Sequence, residues 1–228
     1  MESRELAKEL GKLKVELMEM AAHVERNISD SIAALIERDA KQLAGIPGRD
    51  PEVDLMEIQI DRACHHLLVR FRPVGSDLRF LAIALKLVKD LERLGDLAVD
   101  IAKYASMMIH EVPPKEVVDV STMARIALRI LTQSLDAIVR GDLEQANQVI
   151  KDDDEVDRLH DLIFKELSDL MANDPTKISQ SVCLLYINNF VERIGDHSSN
   201  IAEMVIFMIA GKDVRHLEKI KPLREKSN

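Results

Sequence analysis

The sequence predicts an all-α protein of six long helices, arranged as two tandem three-helix bundles related by internal duplication. Apolar residues recur every three or four positions through long segments of the chain, and short motifs of the first half return in the second. No pattern typical of a β-hairpin is found between these segments. Because short turns separate the segments, we expect the helices to pack as antiparallel neighbours around a pseudo-twofold axis.

The first half carries three of these helices. The apolar period, which runs from Leu6 to Leu35 in the first helix, and the Pro- and Gly-containing turns set their expected limits at about 6–44, 51–71 and 77–110. The first is expected to run without a break and to end before the turn at residues 45–48. Asp50 is expected to be the N-cap of the second helix and Ser76 that of the third, since their side-chain oxygens can accept from free backbone N–H groups.

The second half repeats this arrangement. Its first helix is expected over about 117–139, with a break or kink at Gly141-Asp142 and a resumption to about Ile150. The next is expected to begin among residues 152–154 and to end near 173, and the last to span about 176–210, with Gly211 as C-cap. The Glu-Val-Pro-Pro segment at 111–114 is the clearest linker and divides the chain into repeats 1–112 and 113–228.

Two motifs establish the duplication. Glu52-Val53-Asp54 returns as Glu155-Val156-Asp157, an offset of 103 residues. Glu92-Arg93-Leu94-Gly95-Asp96 returns as Glu192-Arg193-Ile194-Gly195-Asp196, an offset of 100. The difference of three residues falls in the turn between the second and third helices, where insertions and deletions are tolerated.

Composition and charge exclude several classes of protein. The net charge of −9 disfavours general binding to nucleic acid, whose phosphates an acidic surface repels. The most apolar stretch, residues 201–210, contains Glu203 and is too short to span a membrane. Cys64 and Cys183 lie in apolar stretches and are interpreted as buried free thiols of a reducing compartment. We therefore expect a cytoplasmic protein without membrane insertion.

Acidic residues spaced four apart recur at equivalent places in both halves. Two such carboxylates share one helix face, where they repel each other unless a cation bridges them. Their recurrence, with Gly95 and Gly195 each directly before an Asp, favours metal coordination over a solvated face, and oxygen donors suit Fe, Mn, Mg or Zn. The candidate ligands are Asp50, Asp54, Glu92, Asp96 and Asp100 in the first half, and Asp153, Asp157, Glu192, Asp196 and Asn200 in the second.

The sequence allows more than one interpretation of the function. His160, three residues after Asp157, is a candidate additional ligand, whereas His197 is expected to point away from the ligand face. The sequence has no Gly-rich phosphate loop, no nucleophile elbow, no His-Glu-x-x-His and no Glu-x-x-His, so no catalytic residue is predicted. The alternatives are a metal-dependent helical-bundle enzyme or metal store, and a scaffold whose acidic faces are only solvated.

Several longer motifs resemble the PhoU family over roughly residues 5–215. The motifs are Gly75-Ser76-Asp77-Leu78-Arg79-Phe80, Lys89-Asp90-Leu91-Glu92-Arg93-Leu94-Gly95-Asp96, Val191-Glu192-Arg193-Ile194-Gly195-Asp196-His197 and Asn200-Ile201-Ala202-Glu203. The resemblance implies a cytoplasmic, non-enzymatic negative regulator of phosphate uptake and of phosphate-starvation signalling. Its implied partners are the ATPase subunit of a phosphate ABC transporter and a sensor histidine kinase, and a homodimer is also expected.

The resemblance further implies multinuclear iron or zinc at the paired acidic motifs named above. Two departures distinguish the second half. Asn200 stands where the first half has Asp100, and Thr176-Lys177-Ile178 stands where it has Asp77-Leu78-Arg79. We therefore expect the second site to bind metal differently from the first, or less tightly.

Overall fold

The computed structural model describes residues 2–111 and 116–211. Nearly all of these residues are helical, no strand occurs within the two ranges, and six of their helices are long, so the predicted all-α class is confirmed. No described helix is both long and apolar enough to cross a membrane. The helices are α1 (Glu2–Glu37), α2 (Ala40–Gly45), α3 (Asp50–Phe71), α4 (Gly75–Met108), α5 (Glu116–Arg140), α6 (Leu143–Asn173) and α7 (Ile178–Ala210).

The two bundles share one hydrophobic core. α1, α3 and α4 pack together in the first half, and α5, α6 and α7 pack together in the second. α4 packs on α7 and α1 on α5, which joins the halves. Leu91 and Leu94 of α4 and their counterparts Val191 and Ile194 of α7 are all fully buried in a single cluster. Burial of this apolar surface is the main force that holds the bundles together.

The first predicted helix is interrupted. α1 ends at Glu37 because Arg38 adopts a left-handed conformation with φ of 59°. The Asp39 carboxylate then accepts hydrogen bonds from the N–H groups of Lys41 and Gln42, both at 3.0 Å, and so caps α2. The apolar period could not show this break, since Leu43 on α2 continues the buried face.

The two caps predicted for the first half are wrong. The 3₁₀ turn Ile46–Arg49 runs directly into α3, and Asp50 has the helical angles −58° and −44° instead of those of an N-cap. α4 begins at Gly75, whose φ is +61°, and it follows extended Val74 without any side-chain cap, so Ser76 lies inside the helix. Since Asp50 caps nothing, its carboxylate is available to face α4.

The second half needs one larger correction. α6 begins at Leu143, where Asp142 accepts from the Gln145 N–H at 3.0 Å, and it runs unbroken through the Asp run at 152–154. The prediction of a helix start in that run is wrong. Val149 and Val156 are fully buried on either side and hold the segment helical, while interior Asp residues cost only a few tenths of a kcal/mol each, about 0.6 at most.

The remaining ends lie close to their predicted places. The break at Gly141 is confirmed by its φ of +65°. Gly211, with φ of +66°, caps α7 by donating its N–H to the Phe207 carbonyl at 3.0 Å, also as predicted. Residues 112–114 of the predicted linker lie outside the described residues, so the repeat boundary at 112/113 stays a prediction.

Candidate functional site

The fold brings the two acidic motifs of the first half together. The start of α3, with Asp50 and Asp54, packs against the middle of α4, with Glu92 and Asp96. Gly95 makes the close approach possible. A Cβ at that position would lie 3.3 Å from Val53 Cγ1 and 3.7 Å from Asp50 Oδ1. Gly95 therefore marks a close approach of α3 to α4.

The second half makes the same contact more tightly. The middle of α6, with Asp153 and Asp157, packs against the middle of α7. A Cβ on Gly195 would lie 3.3 Å from Val156 Cγ1 and would collide with Asp153 Oδ1. Only glycine leaves room for this carboxylate against the backbone of α7.

The carboxylates of the first half lie within one another's electrostatic field. Burial raises the pKa of Asp50, and the neighbouring Asp54 and Asp96 raise it further. Burial and then Asp96 raise the pKa of Glu92. Arg93 offsets part of this repulsion from the rim, with nitrogens 3.5 Å from Glu92 Oε2 and 3.6 Å from Asp96 Oδ2. The cluster thus concentrates negative charge that a cation would neutralise.

Asp153 is the most perturbed carboxylate of the second half. Burial raises its pKa to about 6, Asp157 and Asp196 add repulsion, and a hydrogen bond from Ser199 acts in the opposite direction. The Ser199 hydroxyl donates to Asp153 Oδ2 at 2.7 Å. Asp153 Oδ1 is buried and has no hydrogen-bond partner among the described residues. A buried, unsatisfied carboxylate oxygen is costly unless a further group neutralises it.

These features fit a bound cation in the second half. The unpaired Asp153 oxygen supplies a donor, Gly195 gives that oxygen room against α7, and Asp157, Glu192 and Asp196 supply further carboxylates. In the side-chain arrangement observed, no three His, Cys, Asp or Glu side chains of the described ranges converge as a metal cluster. Metal binding would therefore draw these side chains together, and water would complete the coordination, as hard cations commonly require.

The other predicted ligands occupy different surroundings. Asp54 is exposed near the start of α3, and Asp100 is half-buried, where its charge contributes to the raised pKa of Asp96 after burial. Asn200 is exposed and lines a groove of ≈ 400 Å³ between α4 and α7 with Lys86 and Lys89. The assignment of all ten predicted residues as ligands stays a prediction.

Several polar contacts of the region were not foreseen from the sequence. Ser199 could have been noticed because it lies three residues after Asp196. The contact of His197 Nδ1 with Asp90 Oδ1, at 2.7 Å, joins α7 to α4 across 107 positions, and no local pattern signals it. That contact does confirm that His197 points away from the acidic motifs.

The cysteines lie outside the site. Cys64 and Cys183 are free and buried, as predicted. Burial raises the pKa of Cys64 to about 12 and also raises that of Cys183, so both thiols stay protonated and unreactive near neutral pH.

Comparison with known proteins matches the PhoU domain family twice, in residues 17–105 and 120–205. The chain is 35% identical to the phosphate-specific transport system accessory protein PhoU homolog of Pseudomonas putida, over 94% of this chain and 84% of that protein. It is 30% identical to the phosphate-specific transport system accessory protein PhoU of Escherichia coli K12, over 92% and 87% of the two chains.

Solved structures give the same answer for the fold. The crystal structure of PhoU from Pseudomonas aeruginosa matches with a TM-score of 0.88 at 34% identity, covering 90% of this chain and 99% of that one. The phosphate transport system regulatory protein PhoU from Streptococcus pneumoniae matches with a TM-score of 0.85 at 26% identity, over 92% and 99%. Both halves of the molecule are therefore built as in these proteins.

Proposed function

The chain belongs to the PhoU family, and from this premise we propose that it is a cytoplasmic, non-enzymatic regulator of phosphate uptake and phosphate-starvation signalling. One observation carries the proposal. Relatives that align with nine-tenths or more of this chain are named phosphate-specific transport system accessory proteins. The shared domain occupies both halves of the chain, so the likeness is not limited to one bundle.

Two partners are part of the proposal: the ATPase subunit of a phosphate ABC transporter and a sensor histidine kinase. An accessory protein acts through contact, and the net charge of −9 on this chain suits a basic surface on a partner.

A homodimer is proposed as the working form, and sedimentation of the purified full-length chain measures whether the mass is once or twice 25.7 kDa.

Gene deletion tests the regulatory role. Loss of a negative regulator should raise phosphate uptake and starvation-gene expression in phosphate-replete cells, and a plasmid copy should reverse both. Unchanged uptake and expression in a deletion strain without a second copy of the gene would contradict the proposal.

Capture of tagged protein from phosphate-replete cells should recover the ATPase subunit or the kinase, and recovery of neither would contradict the proposed route of action.

Metal binding at the acidic motifs is the third part of the proposal. The unpaired Asp153 oxygen and the space at Gly195 support it in the second half, and the like-charge repulsion around Asp96 supports it in the first. Iron and zinc are the proposed metals, held by carboxylates of two helices. A bound metal would neutralise the clustered charge and clamp α3 to α4, or α6 to α7.

Paired substitutions test this part. Glu92→Gln with Asp96→Asn, and Glu192→Gln with Asp196→Asn, should each remove the metal of one half and lower the Tm of the metal-loaded protein, because a ligand bound only to the folded state stabilises it. Metal per chain and Tm are the measurements. Glu5→Gln with Glu9→Gln removes an equally spaced acidic pair from α1, with its exposed ion pairs to Arg70 and Lys12, and should leave the metal content unchanged. Full metal retention in both site variants would refute the proposed ligands.

A further inference from the structure

The rims of the two acidic sites carry different residues at equivalent positions. The offset of 103 aligns Glu57 on α3 with His160 on α6, and the offset of 100 aligns Lys89 on α4 with Asn189 on α7. In the first half Glu57 forms an ion pair with Lys89. In the second half His160 Nε2 lies 2.9 Å from Asn189 Oδ1. The same contact between helices is therefore an ion pair in one half and a histidine–amide contact in the other.

His160 lies beside the acidic residues of both helices. It follows Asp157 by three positions on α6, and Asn189, which its ring contacts, precedes Glu192 by three on α7. Asn188 Nδ2 donates to the His160 carbonyl at 3.0 Å and holds this turn of α6 against α7. The His160 side chain is 22% exposed, so its ring is largely enclosed between the helices.

The surroundings of the ring suit a metal ligand. A metal-bound imidazole keeps one nitrogen for the metal, and an oxygen acceptor on its other N–H fixes the ring. Asn189 Oδ1 is such an acceptor at Nε2, which leaves Nδ1, now 3.3 Å from Asp161 Oδ1, as the nitrogen for the metal. In the first half Lys89 stands at the position of Asn189. Its ammonium group forms an ion pair with Glu57 and would repel a cation. The second site thus offers a nitrogen donor, and the first offers oxygen donors only.

Nitrogen and oxygen donors select different metals. Imidazole favours borderline ions such as Zn²⁺, Fe²⁺ and Co²⁺, whereas carboxylates and water suit Mg²⁺ and Mn²⁺. We propose that His160 is a metal ligand and makes the two sites unequal, with the second-half site selective for a borderline transition-metal ion and the first-half site for a hard cation. The inference rests on the metal binding in the proposed function and narrows it to Zn²⁺ or Fe²⁺ in the second half and to a hard cation, such as Fe³⁺ or Mn²⁺, in the first.

Titration of the chelator-treated full-length chain with Co²⁺ and with Mn²⁺ tests the inference. Visible absorption and calorimetry follow Co²⁺, and electron paramagnetic resonance counts free Mn²⁺. His160→Gln should weaken Co²⁺ binding by at least about tenfold and change its absorption bands, while Mn²⁺ binding stays as in wild type. His66→Gln, which alters an exposed histidine of α3, should leave both titrations unchanged.

The reciprocal change asks whether the rim is sufficient. Glu57→His with Lys89→Asn gives the first half the rim of the second and should add a second Co²⁺ site. Failure of His160→Gln to weaken Co²⁺ binding would overturn the inference while the proposed metal binding stands. Failure of the wild-type chain to bind either ion would overturn both, and neither result would touch the proposed role in phosphate regulation. Far-ultraviolet circular dichroism confirms that each variant is folded.

Discussion

Each half has a glycine where two of its helices approach most closely, but the atoms packed against the two glycines differ. At Gly95 a methyl group would be tight against Val53 but would have ordinary van der Waals distance to Asp50 Oδ1, at 3.7 Å. At Gly195 the same group would collide with Asp153 Oδ1. Duplication has kept the backbone contact in both halves, yet among the described site carboxylates only Asp153, in the second half, has a buried oxygen without a hydrogen-bond partner. The comparison shows that equal motifs do not guarantee equal energetics.

The largest expected difference is between the two Gly→Ala variants. Alanine gains about 1 kcal/mol over glycine inside a helix, which should offset the tight Val53 contact and leave Gly95→Ala close to wild type. Gly195→Ala must displace Asp153 and break its bond with Ser199, and overpacking of this kind costs about 1–3 kcal/mol. Urea unfolding of both variants measures the difference. Equal free energies of unfolding would remove the contrast between the halves.

Asp153 should destabilise the metal-free fold. Its raised pKa of about 6 means that burial disfavours the charged form near pH 7.5. Asp153→Asn should therefore stabilise chelator-treated protein by about 1–2 kcal/mol, allowing for solvent screening. Asp50→Asn should stabilise it less, because Asp50 keeps no orphaned buried oxygen. With metal present the sign should reverse for Asp153→Asn, and a stabilising effect under both conditions would argue against a cation there.

The same pKa predicts how stability changes with pH. The folded chain holds the Asp153 proton more tightly than the unfolded chain, whose pKa is near 3.8. The stability that the folded state gains by holding this proton is complete below about pH 4 and is lost as the pH rises through about 6. As the pH falls from 7.5 to 5, the Tm of chelator-treated wild type should therefore rise relative to the Tm of the Asp153→Asn protein. Parallel Tm curves for the two proteins would contradict the buried-charge interpretation.

Ser199 should have the smallest of these effects. Ser199→Ala removes the one hydrogen bond found for the Asp153 carboxylate among the described residues and should cost about 1 kcal/mol at pH 7.5. The first half has Val99 at the equivalent position, so this support is peculiar to the second site. Ser168→Ala, which removes an exposed hydroxyl bonded to its own helix, is the control and should leave the Tm within error. A similar loss in both variants would assign no special role to Ser199.

The sequence predicted the helices better than their ends. The apolar period captured all six long helices because burial of one face decides where they form. The period did not show the helix end at Arg38, because one left-handed residue interrupts the helix without disturbing the period. The second error is the helix start predicted in the Asp run of α6. In that run tertiary packing of Val149 and Val156 overrides the preference of Asp for helix starts.

The candidate site was predictable only in its local parts. Spacing placed Glu92 with Asp96, and repetition pointed to their counterparts, but spacing cannot tell which residue of α7 reaches α6. Ser199, not Asn200, is the residue observed to contact Asp153. Which side chain crosses a helix interface depends on the rotation and angle of the helices, and these are set by packing over the whole bundle.

The core that passes without a gap from one bundle into the other bears on how the chain folds. During synthesis the first half emerges with one face of α4 uncovered, because α7 covers that face in the finished fold, as in the stacking of Tyr104 on Tyr186. The best available substitute for that cover is the matching face of another nascent chain, which would give a swapped pairing of first halves. Rapid completion of α7 should therefore prevent this swapped pairing, and the two halves should melt together as one cooperative unit.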